Sequence, residues 1–431
     1  MTETTSSSSP FANLFKSAAK IEPRETAAVL SAFFLFFFVL GSYFAVRPVR
    51  ETIGSILGSD YVADLWLYTA IFSIAIIPVY GWLVAKVRRT VLLPCIYGLV
   101  AVILAIIGAM MTDKDVDKTV GAFFYVWISV LNLMLVSVFW SFLLEMFSRE
   151  QTKRLFGFIA AGGTLGALVG PFTTRMLAQS IGDSGILYVG AAGFVGAIVC
   201  QRILLGLWEP VTAAPAPGQE SKSKGVGGNP FAGITIVLKS PYLLSIALFV
   251  VLLSVANTIL YFEQLRIVAE TFPDRAARTE VFASIDFVVQ SLTIVTQLFL
   301  TGRIATKLGV RSLLTFVPIA MIVGFLALAA FNVFAVFAVV FVARRWGEYA
   351  FIRPGREMLF SSMGTETKYK AKSFIDVPVY RAADYVGAQA KTAIDVVTAS
   401  PAASLVIGAI LAGAWASVGW FLGRKYDESK A

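Results

Sequence analysis

Residues 343–391 read ARRWGEYAFIRPGREMLFSSMGTETKYKAKSFIDVPVYRAADYVGAQAK. An apolar run from Asn332 to Val342 leads into this segment, and a further apolar segment begins at Leu405. At about 1.5 Å per helical residue, Arg344 would lie roughly 18 Å into a bilayer, near its midplane. Because charge inside a membrane is costly, such residues usually line a water-filled cavity or a path for a substrate. We expect polar helices inside a membrane-spanning bundle.

Charged and polar residues recur at helical spacing within this segment. Arg344 and Glu348 are four residues apart, as are Arg353 and Glu357, so each arginine is expected to have a carboxylate one turn away. Further along, polar residues spaced by three or four lie on one helical face. They are Asp376, Tyr380, Asp384, Gly387, Lys391 and Asp395. That face predicts contact with water, a ligand or a polar partner.

The composition is that of a polytopic membrane protein. Of 431 residues, 57% are hydrophobic, and the mean hydropathy is +0.77. The net charge of +9 is explained by basic loops on the cytoplasmic side of a membrane, so no nucleic-acid partner is expected. The polar start MTETTSSSSP does not have the pattern of a signal peptide.

The residue types exclude several kinds of chemistry. The chain has no histidine, so neither a histidine proton relay nor a histidine metal site is available. Cys95 and Cys200 both lie in apolar segments and predict no disulfide framework. The sequence contains no GxxxxGK[ST] run, so ATP hydrolysis is not expected. We predict a protein without enzymatic activity, cofactor or metal.

Apolar segments predict twelve transmembrane helices, and hence an all-α membrane protein. The predicted spans are 26–46, 62–85, 91–111, 120–147, 155–178, 185–206, 242–269, 280–301, 311–331, 333–352, 373–394 and 403–423. Basic residues such as Lys86, Arg88 and Arg89 fall in alternate connections, whereas acidic residues fall in the others. This bias predicts that both termini are cytoplasmic. The membrane is expected to be a bacterial inner membrane.

The predicted spans divide into two bundles of six helices. Residues 1–24 predict a polar cytoplasmic N-terminus, 25–206 and 231–424 the two bundles, 207–230 a flexible cytoplasmic linker, and 425–431 a cytoplasmic tail. The halves also echo each other, since GWLVAKVRRTVLL at Gly81 is similar to GRIATKLGVRSLL at Gly302. This layout resembles the major facilitator architecture, in which two such halves carry a substrate between them.

Longer motifs resemble one particular family. EYAFIRPGREM (Glu348–Met358), KYKAKSFIDVPVYRAADYVGAQ (Lys368–Gln389) and YFAVRPVRE (Tyr43–Glu51) are similar to segments of the plastid and bacterial type of ATP/ADP translocase. The resemblance implies exchange of ATP for ADP, or transport of a related small anion, by alternating access in a lipid bilayer. The chain departs from the family pattern at Glu348 and Asp384, where the family has lysine, and at Arg353, where it has aspartate.

Two groups of residues are candidates for contact with a substrate. Arg47 and Arg50, with Tyr43 one turn earlier, lie near the outer end of the first span, where snorkelling to headgroups is the alternative role. The second group is Arg344, Arg345, Glu348 and Lys391, for which a structural ion pair between helices is the alternative. Guanidinium groups suit phosphate or carboxylate recognition.

A second set is predicted to take part in gating or coupling, because these residues are charged and are placed where ion pairs can change between states. The set is Glu51, Glu145, Glu263, Asp286, Arg353, Arg356, Glu357, Asp376, Arg381 and Asp384. For Glu145 the alternative is an ion pair with Arg149, four residues on. Separately, Gly162, Gly163, Gly166 and Gly170 predict a small-residue face for close helix packing.

Two other functions fit the same sequence. In a proton-coupled symporter of another metabolite, Asp286, Asp376 or Asp384 would take the proton. Alternatively, the chain would be a non-transporting membrane sensor or assembly protein. Uptake driven by a pH gradient distinguishes the first from exchange, and binding without flux would mark the second.

Overall fold

The computed structural model describes residues 21–111, 117–208, 232–361, 363–398 and 400–428. The α-helices are α1 Thr26–Leu57, α2 Ser59–Lys86, α3 Arg89–Met110, α4 Lys118–Met146, α5 Arg149–Leu207, α6 Ala232–Lys239, α7 Pro241–Thr271, α8 Arg275–Thr296, α9 Gly302–Ala330, α10 Phe334–Gly347, α11 Arg353–Leu359, α12 Thr365–Phe374, α13 Tyr380–Thr398 and α14 Pro401–Glu428. A 3₁₀ turn, Pro23–Glu25, precedes α1, and π-helical segments link α8 to α9 (Gln297–Thr301), α10 to α11 (Glu348–Ile352) and α12 to α13 (Ile375–Val379). The described ranges contain helices and no strand, so the prediction of an all-α chain is confirmed.

Two helical stretches are far longer than one membrane crossing. Among the described residues, eight stretches are long and apolar enough to cross a membrane, and Glu150–Leu207 and Arg275–Ala330 span 58 and 56 residues. At about 1.5 Å per residue each would measure roughly 85 Å, against about 30 Å of hydrocarbon. Each is broken by a glycine with positive φ, Gly182 (63°) in α5 and Gly309 (77°) in α9. Glycine adopts this conformation without the steric cost that a side chain adds, so the chain changes direction there.

The described chain forms two compact units. The first unit comprises residues 1–47, 79–113 and 131–220, and the second comprises residues 48–78, 114–130 and 221–431, each in its described part. The unit boundaries cross α1, α2 and α4. Most of the predicted linker, from Glu209 onward, lies outside the described residues, so the division into two six-helix bundles stays a prediction.

In the first unit, α5 packs closely on α1 through its glycine face. A side chain added at Gly162 would lie 2.9 Å from the carbonyl carbon of Phe33, and one added at Gly166 would lie 2.8 Å from the backbone nitrogen of Gly41. Thr174, further along the same face, donates a hydrogen bond to the Ala45 carbonyl oxygen at 2.7 Å. The predicted small-residue packing face is confirmed, because only the absence of side chains lets the two backbones approach this closely.

Ion pairs join the helix ends of the first unit. Glu25 is buried and accepts two hydrogen bonds from the Arg154 guanidinium, at 2.7 and 2.8 Å. Arg89, at the start of α3, pairs with Glu145, near the end of α4. Such paired planar groups fix the register of neighbouring helices.

In the second unit, segments from both halves of the sequence are in contact. The hydroxyl oxygens of Thr52 in α1 and Thr279 in α8 lie 2.6 Å apart, and both residues are buried. The Arg278 guanidinium donates to the Ser55 hydroxyl at 3.2 Å. The end of α1 and the starts of α2 and α4 lie in this unit, with helices from the second half of the sequence.

The start of α4 is capped by the residue that precedes it. Backbone N–H groups of Thr119 and Val120 donate to the Asp117 carboxylate at 2.8 and 3.0 Å. These hydrogen bonds, first that from Val120 and then that from Thr119, hold the pKa of Asp117 below its ordinary value. An aspartate in this position satisfies donors that the first helical turn leaves unpaired.

Candidate functional site

A group of charges in the second unit, all of them buried except Arg353, contains several of the predicted residues. We call it the arginine cluster, and its members are Asn257, Asp286, Arg344, Arg345, Glu348 and Arg353. Arg344 donates to the Glu348 carboxylate at 3.2 Å and also bonds to the Asn257 side-chain oxygen. Only 7% of Arg344 and 6% of Glu348 is exposed. The predicted pairing of Arg344 with Glu348, one turn apart, is confirmed.

Arg353 has a different partner from the one that its spacing predicts. Its guanidinium donates to Glu348, five residues earlier, at 3.1 and 3.2 Å. Glu357, which the spacing assigned to Arg353, instead accepts from Lys372 at 2.6 Å. The reason is the π-helical segment Glu348–Ile352, in which residues five apart share a face. The expected pair of Arg353 with Glu357 is therefore wrong.

The π-helical segment has an identifiable cause in the sequence. Pro354 has no N–H group and so leaves carbonyl oxygens of the preceding turn without a donor. Gln297 donates to the Tyr349 carbonyl oxygen at 3.0 Å, and Thr301 donates to the Ala350 carbonyl oxygen at 2.9 Å. Both donors belong to the π-helical segment between α8 and α9. Side chains of one irregular turn thus donate to the free carbonyl oxygens of the other, on a neighbouring helix.

Arg345, next to Arg344 on α10, completes the arginine cluster. It pairs with Asp286 of α8, and both side chains are 4% exposed. Its guanidinium carbon lies 5.7 Å from the Phe341 ring centroid, while that of Arg344 lies 5.1 Å from the same ring. Asp286, predicted as a coupling residue, is therefore the counter-ion of a predicted binding residue.

Lys391 belongs to a second group, the lysine cluster, which consists of Glu263, Arg266, Lys391 and Asp395. Glu263 is fully buried and lies 2.6 Å from Arg266 and 3.2 Å from Lys391. Lys391 also pairs with Asp395, four residues on. Arg266 also lies 3.0 Å from Glu270, so two cations face three carboxylates here.

Arg50 and Glu51 lie in a third group, the tyrosine cluster, with Trp66, Tyr125 and Tyr261. Arg50 pairs with Glu51 at 3.0 Å, and its guanidinium carbon is 4.4 Å from the Tyr125 ring centroid. The Tyr125 hydroxyl accepts from the Trp66 indole at 2.9 Å and lies 2.6 Å from the Tyr261 hydroxyl. The cluster joins α1, α2 and α4 to α7.

The remaining predicted residues of α11 to α13 form separate pairs. Arg356 lies 3.2 Å from Asp376. The Ser254 hydroxyl donates to Asp384 at 2.5 Å, whereas the guanidinium of Arg381 is 3.5 Å away. Asp384 is thus buried, with a neutral hydroxyl as its shorter contact and its cation further away.

Three predicted residues lie in the first unit. Tyr43 is buried and Arg47 is half-buried, both on α1. Glu145 pairs with Arg89, as described above. The other predicted site residues all lie in the second unit.

The arginine cluster carries a surplus of positive charge. Three guanidinium groups face two carboxylates, those of Asp286 and Glu348. Nε of Arg344 and one terminal nitrogen of Arg345, Nη2, are buried and have no hydrogen-bond acceptor among the described residues. Buried donors without acceptors are costly, so this arrangement suits an anion with oxygen acceptors.

Some members of these groups carry no signal in the sequence. Tyr125 and Trp66 are aromatic residues in apolar spans, and their contacts join residues 59 and 136 positions apart. Ser254, the partner of Asp384, is 130 positions away from it. Short-range spacing carries no signal for contacts of this kind.

Comparison with known proteins agrees with this architecture. A family model described as Major Facilitator Superfamily matches residues 29–351. No curated protein matches the sequence. Among solved structures, the nucleoside transporter NupG is 14% identical, with 93% of this chain and 98% of that chain covered and a TM-score of 0.62. The POT family transporter PepTSo is 12% identical, with 93% and 98% covered and a TM-score of 0.63.

A third similar structure is a bacterial homologue of the human lysosomal transporter Spinster, in an inward-facing and unoccupied conformation. It is 13% identical, with 95% of this chain and 98% of that chain covered and a TM-score of 0.59. At these identities the likeness shows the fold alone. Because the family model spans most of its length, this all-α, multi-pass membrane chain belongs to the Major Facilitator Superfamily and has its transporter fold.

Proposed function

We propose that the chain is a secondary-active transporter that exchanges nucleotides of the ATP and ADP type, or a related organic anion, by alternating access. The observation that carries the proposal is the arginine cluster, in which three buried or partly buried guanidinium groups face two carboxylates. Arginine forks match phosphate oxygens in two-point contacts. The motif EYAFIRPGREM, which carries the resemblance to the ATP/ADP translocases, runs through this cluster.

The helix arrangement supports twelve membrane spans. Eight apolar stretches are present among the described residues, and each of the two longest is divided by a glycine with positive φ. The polar pairs of helices Phe334–Leu359 and Thr365–Thr398 supply two more spans. Polar helices of this kind are held by neighbouring helices and by water in a cavity rather than by lipid. Twelve spans place both termini on one side, for which the basic loops favour the cytoplasm of a bacterial inner membrane.

Alternating access requires contacts between the sequence halves to break on one side of the membrane at a time. The contacts of Thr52 with Thr279 and of Tyr125 with Tyr261 are of this kind. In this mechanism Arg50 leaves the tyrosine cluster when that side opens. Its guanidinium then becomes available to the substrate.

The other predicted residues take supporting parts in the mechanism. Arg47, Tyr43 and Lys391 extend the substrate path beyond the arginine cluster, whose deepest cations are Arg344 and Arg345. Carboxylates that now pair with cations change partners between states. These carboxylates are Glu51, Glu145, Glu263, Asp286, Glu348, Glu357 and Asp376.

Counterflow in liposomes tests the proposal. The purified chain is reconstituted, the vesicles are loaded with ATP, ADP, inorganic phosphate or buffer, and uptake of labelled ADP is measured. We expect uptake that requires internal nucleotide and that is lost in Arg344→Gln. Folded wild-type protein that exchanges no nucleotide would overturn the choice of substrate.

Proton-coupled symport is a second candidate, which the surroundings of Asp384 favour. Asp286 and Asp376 each have an arginine within 3.2 Å, whereas the short contact of Asp384 is to the hydroxyl of Ser254. A buried carboxylate with weak charge compensation is the one that most readily binds a proton. Uptake driven by a pH gradient and lost in Asp384→Asn would establish this function.

A further inference from the structure

Both carboxylate oxygens of Glu348 accept hydrogen bonds, as those of a bound anionic ligand would. One carboxylate oxygen, Oε1, accepts from Nε and Nη2 of Arg353 at 3.2 and 3.1 Å. The other, Oε2, accepts from Arg344 at 3.2 Å and from the Asn257 amide at 3.3 Å. Each of these four contacts, made by described residues, is one that a substrate carboxylate or phosphate would also make.

The two arginines that hold Glu348 differ in accessibility. The Arg344 side chain is 8% exposed, whereas 55% of the Arg353 side chain is exposed. The Arg353 guanidinium carbon lies 4.4 Å from the Tyr349 ring centroid, so its planar group is oriented by an aromatic face. An anion that arrives from the exposed side reaches Arg353 first. It must then compete with Oε1 of Glu348.

The surplus positive charge and the unpaired donors of the arginine cluster favour binding of a competing anion. The arginine cluster has one more cation than carboxylates, and the buried Nε of Arg344 has no acceptor among the described residues. An oxyanion placed between Arg344 and Arg353 would satisfy this donor and would cancel the surplus charge. Glu348 cannot satisfy it while both of its oxygens are engaged elsewhere.

We propose that Glu348 is a tethered competitor of the substrate, which occupies Arg344 and Arg353 in the empty carrier and is displaced from Arg353 when a substrate oxyanion binds. This inference rests on the proposed function and adds the group that sets the affinity. Part of the binding energy of the substrate is spent on releasing the carboxylate. The empty site is weakly binding for this reason, which allows the substrate to leave after transport.

The test is equilibrium binding of ATP to the purified full chain, with and without the Glu348 charge. Glu348→Gln keeps the size of the side chain, and we expect its Kd for ATP to fall by about ten- to a hundredfold, the size of one hydrogen bond to a charged group. The matched control is Glu428→Gln, which removes a carboxylate from an exposed arginine pair of the same i,i+4 type. The control is expected to bind ATP with the wild-type Kd.

A second substitution at the same position tests the inference if Glu348→Gln does not fold. Glu348→Asp retracts the carboxylate from Arg353 by about 1.5 Å, one carbon–carbon bond, and is expected to bind ATP more tightly than wild type. A gain in affinity is a readout that damage to the fold does not produce. Wild-type or weaker affinity in every folded variant at position 348 would overturn the inference.

Binding of inorganic pyrophosphate tests the role of Glu348 independently of whether ATP is the substrate. If no variant binds ATP, nucleotide transport is refuted, and the same titration with pyrophosphate decides the role of Glu348. Tighter pyrophosphate binding by Glu348→Gln than by wild type supports the tethered competitor. Equal or absent pyrophosphate binding in both proteins overturns it.

Discussion

The close contact between α5 and α1 predicts how a glycine-to-alanine substitution changes the free energy of unfolding. A Cβ atom at Gly166 would lie 2.8 Å from the backbone nitrogen of Gly41 and 3.0 Å from the carbonyl carbon of Phe37. Ordinary contact begins at 3.4 Å, so the shortfall at the nitrogen is 0.6 Å (3.4 − 2.8). Both atoms belong to the backbone of α1 and cannot rotate away. Gly166→Ala must therefore push the two helices apart.

The matched control lies in the same helix. A Cβ atom at Gly157 would meet nothing within 4 Å, and this residue is exposed. In a helix interior, alanine is favoured over glycine by about 0.5–1 kcal/mol, and both variants gain this amount. Only Gly166→Ala also meets the clash, whose cost for an overpacked site is about 1–3 kcal/mol.

We expect the free energy of unfolding of Gly157→Ala to be higher than that of wild type. We expect the free energy of unfolding of Gly166→Ala to be about 1–3 kcal/mol lower than that of Gly157→Ala. The assay is unfolding of the purified chain in detergent micelles, followed by tryptophan fluorescence during titration with a denaturing detergent. Equal unfolding free energies for the two variants would refute the packing that we describe for α1 and α5.

Three further predictions concern the second unit. In a chain without its native cysteines, Thr52→Cys with Thr279→Cys should form a disulfide on oxidation, because the hydroxyl oxygens are 2.6 Å apart. The crosslink should stop transport until it is reduced. Full transport by the crosslinked protein would contradict a role of this contact in alternating access. Asp286→Asn should lower the free energy of unfolding by about 3–5 kcal/mol, because Arg345 then keeps an uncompensated buried charge. The double variant Asp286→Leu with Arg345→Met should recover most of this loss. An unfolding titration measures both variants. Asp384→Asn should leave nucleotide counterflow unchanged, and loss of counterflow would show that this carboxylate is needed for exchange.

Much of the architecture can be predicted from the sequence because it depends on local patterns. Apolar segments and the spacing of charges predict an all-α membrane chain, the pair of Arg344 with Glu348, and the glycine face of α5. Each of these features follows from residues three or four positions apart, or from the length of an apolar run. The helical period alone is sufficient to place them.

The partners of Arg353 show where the same reasoning fails. The rule of residues four apart assigns this arginine to Glu357, but a π-helical turn moves it to Glu348. The local signal was Pro354, which cannot donate to the preceding turn and so favours an irregular helix. The proline alone does not specify a π turn, because the donors that stabilise it, Gln297 and Thr301, come from another helix.

Contacts between distant helices lie beyond any local pattern. The pairs of Arg345 with Asp286 and of Lys391 with Glu263 depend on how α10 and α13 pack on α8 and α7. Each residue is recognisable as a charge inside a membrane segment, and a partner is expected on energetic grounds. Which partner it finds is decided by tertiary packing.

The claim that the arginine cluster binds the anionic part of a nucleotide can be tested most directly by the affinity of purified protein for ATP. Arg353→Gln is the informative variant, because the Arg353 side chain is 55% exposed and its loss should leave the fold intact. Arg424→Gln is the matched control, since the Arg424 side chain is also 55% exposed and also pairs with a glutamate. We predict that Arg353→Gln raises the Kd for ATP about tenfold or more and that Arg424→Gln leaves it unchanged. ATP binding by Arg353→Gln that is as tight as in wild type would contradict the account.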